Sequence, residues 1–319
     1  TWILLLAPIW SAFNLWLFDL QTEWHFQLMD LDLFPVRIDK LSLVFGYAFH
    51  IAAFLTIVYA LHVRDRLQQV ATLSYTSAAI GAVFAGDLLT LFIFWELMAL
   101  TSVFLIWARR SQDSFASGFR YLVHQFISGL LLLAGTFFYW KSNGSLAFTS
   151  IELTGIGSIL IFLAFGIKCA FPLLHTWLTD AYPEATPGGT VLLSALTTKV
   201  AVYALARSFA GSELLIYIGA AMTCFPIFYA VIENDLRRVL AFSLINQLGF
   251  MVVGIGIGTQ LAVNGAVAHA FNDIMFKGLL FMSMGAVLEM TGKIKGSQLG
   301  GLYKTMPKTT ILCIIGAAS

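Results

Sequence analysis

The chain has 319 residues, of which 59% are hydrophobic and 11% charged, and its net charge is +1. Soluble domains are about 45–50% apolar and about 25% charged, so this composition excludes a soluble globular enzyme, a disordered chain and a binder of nucleic-acid phosphates. A mean hydropathy of +0.85, carried in apolar runs of helix length rather than alternating strands, leaves an all-α polytopic membrane protein.

A membrane helix needs about 20 mostly apolar residues. Ten spans are predicted on that criterion, at roughly 1–18, 41–62, 70–86, 88–108, 118–140, 156–176, 187–207, 212–232, 239–258 and 262–288. An eleventh begins near Thr309 and is cut at Ser319 in mid-helix. The first span lacks a starting Met and a charged flank, and no cleavable signal peptide is recognisable. The whole of 1–319 therefore reads as a single transmembrane domain, a fragment of a longer chain.

The loops set the orientation through Lys and Arg. Of the 18 basic residues, alternate loops carry 11: Arg64, Arg66, Arg109, Arg110, Arg120, Arg237, Arg238, Lys293, Lys295, Lys304 and Lys308. The opposite loops carry four, Arg37, Lys40, Lys141 and Arg207, and three more fall within spans. This alternation places the 19–40 loop outside, with Asp19, Glu23, Asp30, Asp32 and Asp39. The hairpins 180–186 and 233–238 lie inside. Gly254, Gly256 and Gly258 sit in an apolar span and read as close helix packing, since an isolated Gly-x-Gly is a weak phosphate signal. Cys169, Cys224 and Cys313 read as small core residues. Nothing suggests a redox site, and no cofactor or metal is expected.

A charge at the centre of a membrane helix costs about 2.5–3.5 kcal/mol on insertion scales. Five such residues require an explanation: Glu96, Lys168, Lys199, Asp273 and Lys277. His124 and His269 join them. Buried ion pairs seldom outperform apolar packing of the same shape, so stability does not account for them. Glu96 stands deep in LLTLFIFWELMAL with no base nearby in sequence, and its partner must come from another helix. Lys168 is equally deep in LAFGIKCAFPLLHTWL, and Lys199 is mid-helix in LLSALTTKVAVYAL. His269, Asp273 and Lys277 recur at i, i+4 and i+8, which stacks them on one helix face over roughly 12 Å. Burial disfavours a charged lysine and a nearby carboxylate favours it. A lysine whose carboxylate partner moves is thus a proton switch, and Glu96 with Lys168 is the proposed pair.

A blander account stands beside each of these. Lys199 snorkels if the span edges are misplaced, Asp273 and Lys277 form only an intrahelical salt bridge, and His124 and His175 serve packing or the interface. Pro172 adds weight to Lys168, because its ring opposes the carbonyl four residues earlier and removes a backbone hydrogen bond. Broken helices are tolerated at mid-membrane where they line a polar cavity.

Five segments, in this order, carry a resemblance: GDLLTLFIFWELMAL, FGIKCAFPLLHTWLTDAYPEATP, LLSALTTKVAVYAL, ENDLRRVLAFSLINQLGFM and HAFNDIMFKGLLFM. They resemble the proton-conducting antiporter-like subunits of multisubunit Na⁺/H⁺ (Mrp-type) antiporters, respiratory complex I and membrane-bound hydrogenases. The resemblance covers about residues 40–310, and its details are most similar to the D-type subunits of the Mrp branch. It implies two five-helix bundles related as inverted repeats, each with a broken helix and a half-channel. The second repeat is incomplete after 319. By motif, Glu96 matches the family's essential membrane glutamate, Lys168 its partner on the broken helix, and Lys199 the bridging lysine. Lys277 matches the lysine after the histidine-bearing segment, and His269 a histidine there. Asp273 stands where many relatives carry a second histidine.

The resemblance implies a component of a secondary transporter rather than an enzyme in its own right. It would work in the cytoplasmic membrane beside the other subunits of a hetero-oligomeric complex, exchanging Na⁺ or another monovalent cation for protons. The alternatives are a proton-pumping component of a complex I or hydrogenase type oxidoreductase, an energising component for inorganic-carbon uptake, and a scaffold with inert ion pairs.

Overall fold

The computed structural model describes residues 2–29 and 31–319. Thr1 and Asp30, the latter among the acids of the predicted outer loop, lie outside the described residues. After a short 3₁₀ turn at Trp2–Leu5, the chain forms α1 (Leu6–Trp16), β1 (Glu23–Leu28), β2 (Leu31–Arg37), α2 (Lys40–Tyr59), α3 (Arg66–Phe84), α4 (Leu88–Trp107) and α5 (Gln112–Asn143). It continues through α6 (Ile156–Lys168), α7 (Thr176–Ala181), α8 (Pro187–Ser208), α9 (Glu213–Ile232), α10 (Leu236–Ile257), α11 (Gln260–Thr291), α12 (Leu302–Thr305) and α13 (Pro307–Ala318).

Among the described residues seven helices, α2, α4, α5 and α8 to α11, are long and apolar enough to cross a membrane, which makes this a multi-pass integral membrane protein. Each of the ten predicted stretches carries a helix, but α1 and α6 are too short to span, and α3 is less apolar than the seven. The prediction at 156–176 fails in its second half because α6 stops at Lys168. The wholly helical reading also needs correction. Strands β1 and β2 pair antiparallel, Glu23 opposite Arg37 and Leu28 opposite Leu31, within the predicted outer loop. The alternation of Trp24, Phe26 and Leu28 with Glu23, His25 and Gln27 is a strand signal of period two. The acidic composition of the segment obscures it.

Helix starts follow local capping chemistry. Asp39, Asp65, Asp87, Ser111, Thr186, Asp235 and Thr259 each accept a hydrogen bond from a backbone N–H of the first turn, the donors that a helix leaves unsatisfied. Pro187 at the first position of α8 loses nothing by lacking its N–H.

The connections predicted on one side meet at one end of the bundle. The buried Asp87 carboxylate accepts from Phe34 N at 2.8 Å and from Thr90 Oγ1 at 2.7 Å. Gly86 N donates to Phe34 O, Phe148 N to Gly86 O and Ile151 N to Ser208 O. Arg37 Nη2 donates to Phe148 O at 2.6 Å, and Arg207 pairs with Asp39 at 2.7 Å. Burial pushes the Asp39 carboxyl up, but the Arg207 and Arg37 guanidiniums and the Ser42 N–H outweigh it and hold it below the usual carboxylate range. The opposite end is tied by Arg109–Glu184 at 3.0 Å, His62–Glu289 at 2.9 Å and the buried Arg237, whose Nη2 donates to Ala185 O at 2.8 Å.

Helix α8 runs through the middle, with nearly every residue buried. One continuous apolar core extends from Phe45 on α2 to Ile274 on α11. Gly254 and Gly256 pack α10 closely on its neighbours as expected, a Cβ on Gly256 standing 2.7 Å from Ile216 N on α9, whereas Gly258 lies past the helix as its left-handed cap. Of the three cysteines only Cys169 is buried. Cys224 is exposed because α9 turns most of its surface outward.

Candidate functional site

The first charged group lies where α4, α5 and α6 meet. Lys168 is the last residue of α6 and has no exposed surface. Its Nζ donates to the carbonyl of Trp95 on α4 at 3.1 Å and sits 4.3 Å from the centre of the indole ring. The indole Nε1 donates to Ser128 Oγ on α5 at 2.9 Å, and that hydroxyl donates to Ala164 O on α6 at 2.7 Å. One tryptophan thereby joins three helices.

Glu96 is the next residue along α4 and is half-buried. Its Oε1 is enclosed and has no hydrogen-bond partner among the described residues. The carboxyl lies against Gly129 of α5, where any Cβ would overlap it. The expected pairing is thus met only in part: Lys168 reaches the backbone one residue from Glu96, but the two charges form no ion-pair contact.

The backbone after Lys168 is broken. Ala170 and Leu173 adopt left-handed φ of 61° and 70°, a conformation that costs a residue with a Cβ about 1–2 kcal/mol. Pro172 between them cannot donate, and it restricts Phe171 before it. Neighbouring groups satisfy the freed carbonyls: Phe171 N donates to Gly166 O at 3.0 Å and Trp177 Nε1 to Ile167 O at 2.9 Å. The chain then resumes in α7.

The second group spans α8, α10 and α11. The Lys199 ammonium on α8 forms an ion pair with the Asp273 carboxylate on α11, both side chains wholly buried. Lys199 Nζ also donates to Ser194 O at 3.1 Å. Lys277 does not pair with Asp273 on its own helix. Its Nζ donates to Ser243 Oγ on α10 at 2.5 Å. His269 Nε2 meets Gln247 Oε1, also on α10, at 2.8 Å, so the ring N–H is the donor there. The intrahelical salt bridge of the blander account is therefore replaced by contacts between helices, since the carboxylate reaches across to a lysine on α8.

The other two histidines singled out in the sequence, His124 and His175, stand apart. His124 Nδ1 meets Arg120 O on its own helix at 2.8 Å, and His175 packs on Phe225 with ring centres 4.7 Å apart. Trp95, Ser128, Gly129, Ser243 and Gln247 hold the charged groups, yet none is conspicuous in the sequence. Each is an uncharged residue of a kind common in membrane helices. The one available signal is adjacency, Trp95 preceding Glu96 and Ser128 preceding Gly129.

A second buried polar cluster of hydroxyls occupies the interior against α8. Tyr75 on α3 is hydrogen-bonded to Thr197 on α8, Tyr121 on α5 meets Ser102 on α4 at 2.8 Å, and Tyr182 donates to Leu193 O at 2.7 Å.

Residues 85–319 match a family described as NADH:quinone oxidoreductase/Mrp antiporter, TM. Over 258 residues the chain is 32% identical to the D-type subunit of the Na⁺/H⁺ antiporter of Alkalihalophilus pseudofirmus, covering 75% of this chain and 52% of that protein. It is 31% identical over 326 residues to the A-type subunit of the Na⁺/H⁺ antiporter of the same organism, covering 90% and 40%. It is 28% identical over 253 residues to hydrogenase-4 component B of Escherichia coli, covering 70% and 38%. The chain spans about half, or less, of the length of these relatives. One chain in the structure of the Mrp complex from Dietzia sp. DQ12-45-1b shares the fold at a TM-score of 0.89 and 22% identity, covering 99% of this chain and 64% of that one. An archaeal membrane-bound sulfane sulfur reductase matches at 0.87 and 22%, covering 98% and 69%.

Proposed function

The chain belongs to the NADH:quinone oxidoreductase/Mrp antiporter transmembrane family, and from that premise we propose that it is the proton-translocating component of a multisubunit Na⁺ (or other monovalent cation)/H⁺ antiporter. One observation carries the reading: ionisable side chains follow one another through the interior of adjoining helices, with Lys168 on α6, Lys199 on α8, and Asp273 and Lys277 on α11 buried, and Glu96 on α4 and His269 on α11 half-buried. Such groups are costly in a membrane and mark ion pathways. In this reading two inverted five-helix repeats meet near α8 and α9, and the break after Lys168 lets that lysine change partners. Each change of partner alters proton affinity, so a proton handed along the file alters the next group in turn. The working protein is a hetero-oligomer in the cytoplasmic membrane, with this chain in the position of a D-type subunit.

The identity to hydrogenase-4 component B favours a second reading, in which the same relay is driven by redox chemistry on other subunits. Genes for iron–sulfur and flavin subunits alongside would select it, and genes for small antiporter subunits the first.

The deciding experiment uses inside-out vesicles that contain the complex with its native partners. They are energised, Na⁺ is added, and collapse of the pH gradient is followed with a dye. Antiport through the relay requires that Na⁺ collapse the gradient in the wild type and not in Glu96→Gln. A wild type that assembles yet ignores Na⁺ and other monovalent cations would sink the antiporter reading. A Glu96→Gln variant that responds like wild type would remove Glu96 from the path.

A further inference from the structure

Two opposite charges in a low-dielectric interior attract strongly, yet Lys168 and Glu96 stand on adjoining helices without touching. The lysine is turned to Trp95. An ammonium has three donors and no acceptor; one donor here reaches the Trp95 carbonyl, and the ring face lies beside the same nitrogen. Attraction between a cation and an indole is strongest when the cation is desolvated, and Lys168 has no exposed surface. The indole is fixed as well as placed. Its N–H is held by Ser128, whose hydroxyl is bonded to α6 one turn before the lysine, and Phe165 packs on the ring at 5.3 Å. The Glu96 carboxyl, for its part, lies against Gly129 of α5, where the missing Cβ makes room for it.

We propose that Trp95 is a positioning residue, a docking station that competes with Glu96 for the Lys168 ammonium, so that the lysine alternates between two partners one residue apart on α4. This deepens the proton-relay reading above and rests on it. At the Trp95 station Lys168 is held away from the carboxylate; at Glu96 the two charges pair. A short displacement of the lysine at the end of a broken helix therefore makes and breaks the ion pair without moving α4.

The test compares Trp95→Leu, which removes the ring face but keeps the carbonyl, with Trp95→Phe, which keeps a smaller aromatic face and loses the N–H. Both are made in the complete complex. The titratable groups around Lys168 are Glu96 on α4 and Cys169 beside it, with Lys199 of α8 facing Cys169. All are retained in both variants, so a difference between them reports the ring.

Two readouts are used. The first is the pH profile of Na⁺-induced collapse of the gradient in inside-out vesicles. The second needs no transport: infrared titration of the carboxyl band that Glu96→Gln abolishes. Trp95→Leu is expected to slow transport about tenfold and to displace both titrations by about one pH unit, with Trp95→Phe within about twofold of wild type. The proposal is overturned if Trp95→Leu keeps wild-type profiles. It is equally overturned if Trp95→Phe loses as much as Trp95→Leu, since an aromatic face at this position would then not be what holds the lysine. If Trp95→Leu does not assemble, Trp95→Met takes its place. Failure of both to assemble beside an intact Trp95→Phe assigns the ring to folding and overturns the proposal too. Glu96→Gln in the same vesicles separates the two readings: full activity there refutes the relay, whereas an inactive Glu96→Gln with an unaffected Trp95→Leu refutes only the station.

Discussion

Lys199 of α8 and Asp273 of α11 form an ion pair with neither side chain exposed. The pair joins the helix that runs through the middle of the bundle to the helix that carries Lys277 and His269. The acid on α11 is thus matched to a lysine on another helix.

Removing one member of a buried pair leaves the other charge uncompensated, at a cost of about 3–5 kcal/mol. Asp273→Asn is therefore expected to lower the thermal stability of the purified complex markedly. The double variant Asp273→Asn with Lys199→Met is expected to recover much of the loss while remaining inactive in transport. Melting curves in detergent check this, and an Asp273→Asn variant as stable as wild type would refute it.

Lys277 takes Ser243 as its partner. Ser243→Ala leaves a buried ammonium short of an acceptor, which costs about 1–3 kcal/mol. Assembly is expected to survive and Na⁺-induced gradient collapse to slow, with Ser243→Thr close to wild type because the hydroxyl is kept. Equal rates in Ser243→Ala and wild type would show that the contact is idle.

Gly129 makes room for the Glu96 carboxyl. Gly129→Ala is expected to displace that carboxyl and to cut transport at least as strongly as any other alanine substitution in α5, at wild-type levels of complex. Gly265→Ala on α11 is the control, since a Cβ there meets nothing within 4 Å and the helix gains about 1 kcal/mol in propensity. Vesicle assays normalised to complex content decide it; activity retained in Gly129→Ala contradicts the packing account.

The Asp39 carboxyl is held below its usual range, its burial outweighed by Arg207, Ser42 N–H and Arg37. A depressed carboxyl contributes stability above its unfolded value, about 3.9, and loses that contribution as pH falls through the lower folded value. Asp39→Asn is thus expected to be less stable than wild type at pH 7, with the gap closing in acid. Melting curves across pH test this; a gap of constant size from pH 7 to pH 3 would exclude it.

The membrane helices and the charged residues within them are legible in the sequence because both stand against a uniform apolar background. A lysine such as Lys168 is conspicuous among LAFGI and CAF, and Pro172 announces the break after it. Two things are not legible. One is which charges meet: spacing on α11 brings Asp273 to Lys277, whereas packing gives Asp273 to Lys199, and no periodicity within one helix encodes what a neighbour offers. The other is the uncharged support. Ser128, Ser243 and Gln247 look like ordinary small or polar residues until their partners are known. The hairpin of β1 and β2 is a different failure, since its alternation is present at Trp24, Phe26 and Leu28 but sits in a segment whose acids read as loop.

The backbone bonds and ion pairs that join β2, the start of α4, the segment after α5 and the end of α8 lace one rim of the bundle together. The interruption after Lys168 lies inside the bundle, between that rim and the opposite end tied by Arg109–Glu184 and Arg237. A bundle fastened at both ends and jointed between them keeps its frame while the joint moves. Cross-links placed among Phe34, Gly86 and Phe148 should then be mechanically silent, whereas a cross-link of equal length across the α6–α7 joint should seize the machine.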